Sequence, residues 1–205
     1  MSIPAYNEDQ QDALQEVLNI AMGQAGDSLA RILDHFVKLS IPRINLVTVE
    51  NLLEKVSQLL DMQSEVSAVR QAFYNGLRGE AIVIFPQHGC DQIYDLMGYE
   101  KEEITSLAEQ EMLLEISNLL VGAVLNGVSD TLSMNLGFSA PSLMAINQAL
   151  STVLNKNNLT WSHALLLEVN FTLESRDFKS HLLLFMTEET ITQLGHILDE
   201  FLEDF

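Results

Sequence analysis

The chain has 205 residues, 47% of them hydrophobic, enough to bury a full core without disulfides or metals, and a single globular unit over residues 1–205 is expected. Lys and Arg number 10 against 29 Asp and Glu, and the formal charge of −19 disfavours a nucleic-acid backbone or an anionic membrane, leaving protein partners or small ligands. The lone Cys90 excludes an internal disulfide, the amino terminus lacks a basic and an apolar targeting region, and no apolar run is expected to span a bilayer, so the chain reads as cytoplasmic.

From Asn7 onward the pattern is helical: Asn7 and Gln10 have capping-box spacing, and no proline interrupts until Pro42. At 100° per residue, Leu14, Leu18, Ala21, Ala25, Leu29, Ile32 and Phe36 fall within about 40° of one line and predict a buried stripe. Glu16 and Asn19 lie opposite. Their own line continues through Gly23 and Gly26 to Ala30, small residues that would let another surface come close. Beyond Pro42, Ile44 to Val49, Glu65 to Tyr74 and Ala81 to Phe85 read as strands, with an Asn75-Gly76 hairpin turn before the third and a helix over Gln87 to Met97 after it. A second long helix is predicted from Ser106, where Ser106-x-x-Glu109 has capping-box form, to about Met134. Strands over Ser142 to Ala149, Ala164 to Leu173 and His181 to Met186 follow, with a turn at Glu174 to Asp177 and a closing helix over Glu188 to Leu202.

These elements come in two matching sets, about 7–99 and 106–205. The pattern Asp-x3-Glu-x2-Asn-x22-Pro occurs at Asp12, Glu16, Asn19 and Pro42, and its last three members recur 99 residues later as Glu115, Asn118 and Pro141. The same gap-free shift superposes Leu14 on Leu113, Val17 on Ile116, Gly23 on Gly122 and Ser40 on Ser139. Two copies imply a duplicated supersecondary unit, because a solenoid would need at least three. The expected fold is α/β of the α+β kind: one continuous, mostly antiparallel sheet across a pseudo-twofold axis, with the two long helices packed on one face.

Conventional catalytic signatures are missing. The chain has no Gly-rich phosphate loop, no Gly-x-Ser-x-Gly elbow and no His-Glu-x-x-His helix, and His35, His88, His163, His181 and His196 are scattered singly, so no metal site or cofactor of its own is expected. The two Glu-Asn pairs remain. A carboxylate can pair with a partner's ammonium, whereas an amide offers a donor and an acceptor at once, which suits a water held for attack on phosphorus. Mid-helix Asn is a mediocre helix former, so its presence in both helices calls for a reason. The plainer alternative is that both pairs are solvated surface residues inherited by duplication.

The doubled pattern resembles the CheC branch of the CheC, CheX and FliY phosphatases of bacterial chemotaxis, over nearly the whole chain. That resemblance implies a phosphorylated CheY-like response regulator as substrate and hydrolysis of its aspartyl phosphate, with Mg2+ and phosphoaspartate both belonging to the regulator. It implies that Glu16 and Glu115 dock on a regulator lysine and that Asn19 and Asn118 orient the attacking water. Asp12, Glu111, Gly23, Gly122, Pro42 and Pro141 complete the motif. Glu111 departs from the Asp or Ser of the pattern, Ser117 stands where the first helix has Leu18, and Leu119 lies beside Asn118, so a perturbed second site is expected. Two rival readings follow from the same resemblance. One is a non-catalytic adaptor that binds a regulator or a CheD-like deamidase; the other is a flagellar-switch component such as FliY, less expected because FliY-type proteins carry an extra carboxy-terminal domain.

Overall fold

Asn7 opens the first helix with a reciprocal cap: its Oδ1 accepts from the Gln10 backbone N–H at 2.8 Å, and Gln10 Oε1 accepts from the Asn7 N–H at 3.1 Å. Replacing Asn7 with alanine should lower stability by about 1 kcal/mol, read as a lower urea midpoint at constant slope; an unmoved midpoint would show the cap contributes nothing. The computed structural model describes residues 6–34, 37–40, 43–57, 61–86, 105–155, 163–168, 171–173 and 180–203. The expected helix over Gln87 to Met97, the turn at Glu174 to Asp177, Phe36 and Pro42 lie outside them.

In chain order the elements are α1 (Glu8–Leu33), β1 (Val37–Leu39), β2 (Arg43–Thr48), α2 (Val49–Ser57), β3 (Glu65–Asn75) and β4 (Gly79–Pro86). Then come α3 (Ser106–Thr131), β5 (Leu136–Phe138), β6 (Ser142–Ala149), α4 (Leu150–Val153), β7 (His163–Glu168), β8 (Phe171–Leu173), β9 (His181–Met186) and α5 (Glu188–Glu203). The cap of α3 is Thr105, not Ser106: Thr105 Oγ1 accepts from the Ala108 N–H at 3.2 Å, and Ser106 is the first helical residue. That helix also stops at Thr131, short of Met134, because Ser133 turns left-handed at φ 50°.

Every recorded strand pairing is antiparallel. The main sheet runs β2-β7-β9-β4-β3-β5, with β6 also on β3, and a short β1-β8 ladder accompanies it. At the centre β4 and β9 pair Val83 with Leu182, while β1 and β2 of the first half pair with β8 and β7 of the second, and β5 and β6 of the second pair with β3 of the first. Val37 pairs with Leu173 and Leu136 with Asn75; Leu136 lies 99 residues after Val37 and Leu173 lies 98 after Asn75, so the pairing pattern follows the sequence offset.

The expected packing of the long helices on one face is observed. Val69, Phe73, Val83, Phe85, Leu182 and Leu184 lie in one core with Leu14, Leu18, Ala21, Ala25 and Leu29 of α1 and the apolar side of α3. Ile32 departs from the predicted stripe: it is 56% exposed, in the last turn of α1, where the helix borders an open groove. The opposite sheet face is covered too, by Leu52 and Val56 of α2 and Leu150 and Val153 of α4 on Ala68, Ile82, Ile84, Leu183 and Phe185. Two covered faces explain why Ala81 to Phe85 of β4 and Leu182 to Met186 of β9 are continuous apolar runs without polar alternation.

Two further contacts fix the helical layer. The backbones of α1 and α3 meet where a Cβ on Gly127 would fall 2.7 Å from the Ala21 carbonyl oxygen. Tyr6 donates its hydroxyl to the Ile191 carbonyl at 2.8 Å, and burial pushes its pKa above the ordinary phenol value, keeping it a donor. Contrary to the expectation that no apolar run reaches membrane-spanning length, α3 is long and apolar enough by composition. It is a core helix, with 61% of that stretch buried inside the fold.

Candidate functional site

Glu16 and Asn19 are exposed on the outer line of α1. Asn19 Oδ1 accepts from Gln15 Nε2 at 3.1 Å, a contact within one helix at the surface. Asn19, Met22, Gly23, Gly26 and Asp27 line a shallow depression whose far wall is Val37, Leu39 and Ser40. Gly26 admits that wall, since its Cβ position lies 3.7 Å from the Val37 oxygen, whereas a Cβ on Gly23 would meet nothing within 4 Å.

Glu115 and Asn118 are exposed on α3 in the same relation, and Gly122 one turn on is equally open. Here the amide is held differently. Gln71 Nε2, from β3, donates to Asn118 Oδ1 at 2.9 Å and to the Ser139 carbonyl at 2.9 Å. Ser139 is itself fixed to β3: its N–H donates to the Ala72 carbonyl and its Oγ accepts from the Ala72 N–H, both at 3.0 Å. Asn118, Gly122 and Asn126 then share an open groove with Gln24, Ser28 and Arg31 of α1.

The spacing to Pro141 now has a structural cause. From Asn118 the chain finishes α3, turns, and returns as β5, which ends at Phe138; Ser139 follows beside Asn118's partner Gln71, and Pro141 lies between β5 and β6. Asp12 and Glu111, the first motif positions, are both exposed. With Asp27 and Asp130 they make the outer face of the helix pair acidic, and Arg31 is tied to Asp27 at 2.9 Å. Such a face favours a partner that presents ammonium or guanidinium groups.

No protein-family model matches the chain. FliY of Thermotoga maritima superposes with a TM-score of 0.69 at 18% identity, covering 95% of this chain and 98% of that one. CheX of Desulfovibrio desulfuricans gives a TM-score of 0.51 at 13% identity, over 82% and 97%. The chain has the CheC/CheX/FliY-family fold. FliM, in a FliG–FliM complex from H. pylori, also superposes, with a TM-score of 0.62 at 10% identity over 93% of this chain and 99% of that one.

Within this CheC-like fold the two Glu-Asn pairs are exposed on α1 and α3, and Asn118 also reaches Gln71 at the edge of the helix-covered sheet face. Reading the sequence missed Gln15, Gln71 and Ser139. The superposition of Ser40 on Ser139 was the available signal for the serine. Gln71 did not stand out, because the 99-residue shift places Asn170, not a glutamine, against it and because it lies 47 residues from Asn118 in sequence.

Proposed function

We propose that this chain is a phosphatase for the aspartyl phosphate of a CheY-like response regulator and serves chemotaxis or a related two-component pathway. The observation that supports this best is the pair of exposed Glu-Asn sites, each followed one turn later by a glycine with open space over it, so that a partner can approach the helix backbone. The regulator supplies the phosphoaspartate and its Mg2+, and this chain supplies position. Asn19 or Asn118 accepts a hydrogen bond from a water through the second lone pair of its amide oxygen, the first being taken by Gln15 or Gln71, and sets that water in line with the phosphorus. Attack forms the bond from water oxygen to phosphorus and breaks the bond from phosphorus to the aspartyl oxygen, so the aspartate leaves as carboxylate and inorganic phosphate is released.

Glu16 and Glu115 dock the regulator through a lysine. Reversing both to lysine should therefore raise KM for the phosphorylated regulator roughly tenfold, with a steep salt dependence, and leave turnover at saturation largely intact. A fall in turnover with KM unchanged would assign these carboxylates to the chemistry instead of the docking.

The likeness to a FliM bound to FliG favours one other reading, a module that binds its partner without turnover. The two separate in a single experiment: phosphate release from a panel of phosphorylated response regulators of the same organism, with binding measured on the same samples. Accelerated release from one regulator supports the phosphatase. Binding with no acceleration overturns it in favour of the adaptor.

A further inference from the structure

Gln71 is 2% exposed, on the helix-facing side of β3 between Val69 and Phe73. A buried glutamine in an apolar strand should have every polar atom paired, yet Gln71 Oε1 has no partner among the described residues. An apolar side chain of similar shape would avoid that cost. What the glutamine does provide is orientation. The Ser139 carbonyl can only accept, so the Gln71 atom facing it must be Nε2, and that nitrogen in turn requires Asn118 to present Oδ1. The amide of Asn118 therefore has one permitted orientation, set through a buried side chain by a backbone oxygen.

Among the described residues the first pair shows no such device. Asn19 is met by Gln15 of its own helix, a contact at the surface in which either amide can turn. Register locates the position that corresponds to Gln71. Arg70 pairs with Ser142 and Glu168 with Arg43, and Ser142 lies 99 residues after Arg43, so Arg70 matches Glu168; the residues that follow them in sequence are Gln71 and Val169. Val169 lies outside the described residues, and a valine has no amide to offer.

We infer that Gln71 is a positioning residue that holds Asn118 in one orientation, making the Glu115-Asn118 pair the stronger of the two sites. The order is the reverse of what Glu111 suggests from sequence alone. This inference rests on the phosphatase reading for its effect on turnover, but the restraint on Asn118 is measurable without it.

The test uses the full chain with one site silenced at a time. Asn118→Ala should cost more activity than Asn19→Ala. Adding Gln71→Met to the Asn19→Ala chain should lower kcat for phosphorylated regulator roughly tenfold with KM unchanged, the penalty of a catalytic group a fraction of an ångström out of place. The same change in the Asn118→Ala chain serves as the folding control and should leave first-site turnover as it was. Equal losses in both backgrounds, or a rise in KM alone, would overturn the positioning role. Side-chain amide 15N relaxation on the unmutated chain provides a second readout that needs no substitution. A higher order parameter for Asn118 than for Asn19 is expected, and equal values refute the restraint. If no regulator is dephosphorylated faster by the unmutated chain, the phosphatase reading fails and the relaxation result alone decides what Gln71 does.

Discussion

Replacing Asn19 and Asn118 together with alanine should remove about 10²- to 10³-fold of the acceleration of regulator dephosphorylation, which is what one well-aimed polar group typically contributes. The loss cannot be charged to unfolding. Both side chains are exposed, and alanine in place of a mid-helix asparagine gains roughly 0.5 kcal/mol of helix propensity at each position. Against that gain, Gln71 loses one acceptor but keeps the Ser139 carbonyl. Unfolding midpoints of the double variant and the unmutated chain should therefore agree closely. Binding should agree as well, because Glu16 and Glu115, the carboxylates proposed to dock the regulator, are untouched. Phosphate release at saturating regulator, with the midpoint measured in urea, checks both halves of the expectation. Undiminished turnover in the double variant would sink the water-orienting mechanism.

Most of the fold was legible because its signals are local. The cap at Asn7 and Gln10 is two side chains three residues apart, and β6 and β9 were readable to the residue from their apolar patterns. The parts that escaped depend on distant partners. Helix α2 has nine residues and α4 only four, too short to be stable by propensity, and both exist because Leu52, Val56, Leu150 and Val153 cover the second face of the sheet. Strands β1 and β5 are three residues each and hold through pairing with β8 and β3, so no two-residue period can show them. The displaced cap of α3 has a different cause. Thr105 and Ser106 are chemically equivalent caps, and sequence alone does not choose between neighbours.

The candidate site divides along the same line. Glu16, Asn19, Glu115 and Asn118 stood out because spacing repeats, which is information carried by sequence. Gln71 acts through space across the helix-sheet boundary, and its oriented amide becomes visible only once β5 has been brought back against β3. Repetition thus picks out the exposed residues proposed to face a partner, and it is blind to whatever supports one copy and not the other.

The glycines sharpen that distinction and carry the second large effect. Gly127 was not singled out by the repeat, yet a methyl group there would lie 2.7 Å from the Ala21 oxygen and 2.9 Å from its Cα. These are backbone atoms that no rotamer change can withdraw, so the helices must move apart or shift along each other, and both α1 and α3 are anchored by buried side chains on the sheet. Gly127→Ala should therefore destabilise the chain by about 1–3 kcal/mol, and Gly127→Val by more. Gly23 and Gly122 predict the opposite sign. Each has open space over it, so alanine should stabilise by about 0.5–1 kcal/mol through helix propensity. Tryptophan at Gly23 and Gly122 together should leave the urea midpoint near that of the unmutated chain while raising KM for the regulator at least tenfold, because it fills the approach a docking partner needs. If the double tryptophan variant binds and turns over regulator normally, the partner does not sit on these two helix lines, and the open glycines are incidental. If Gly127→Ala is neutral, the close contact between α1 and α3 is not what fixes the distance between the two sites.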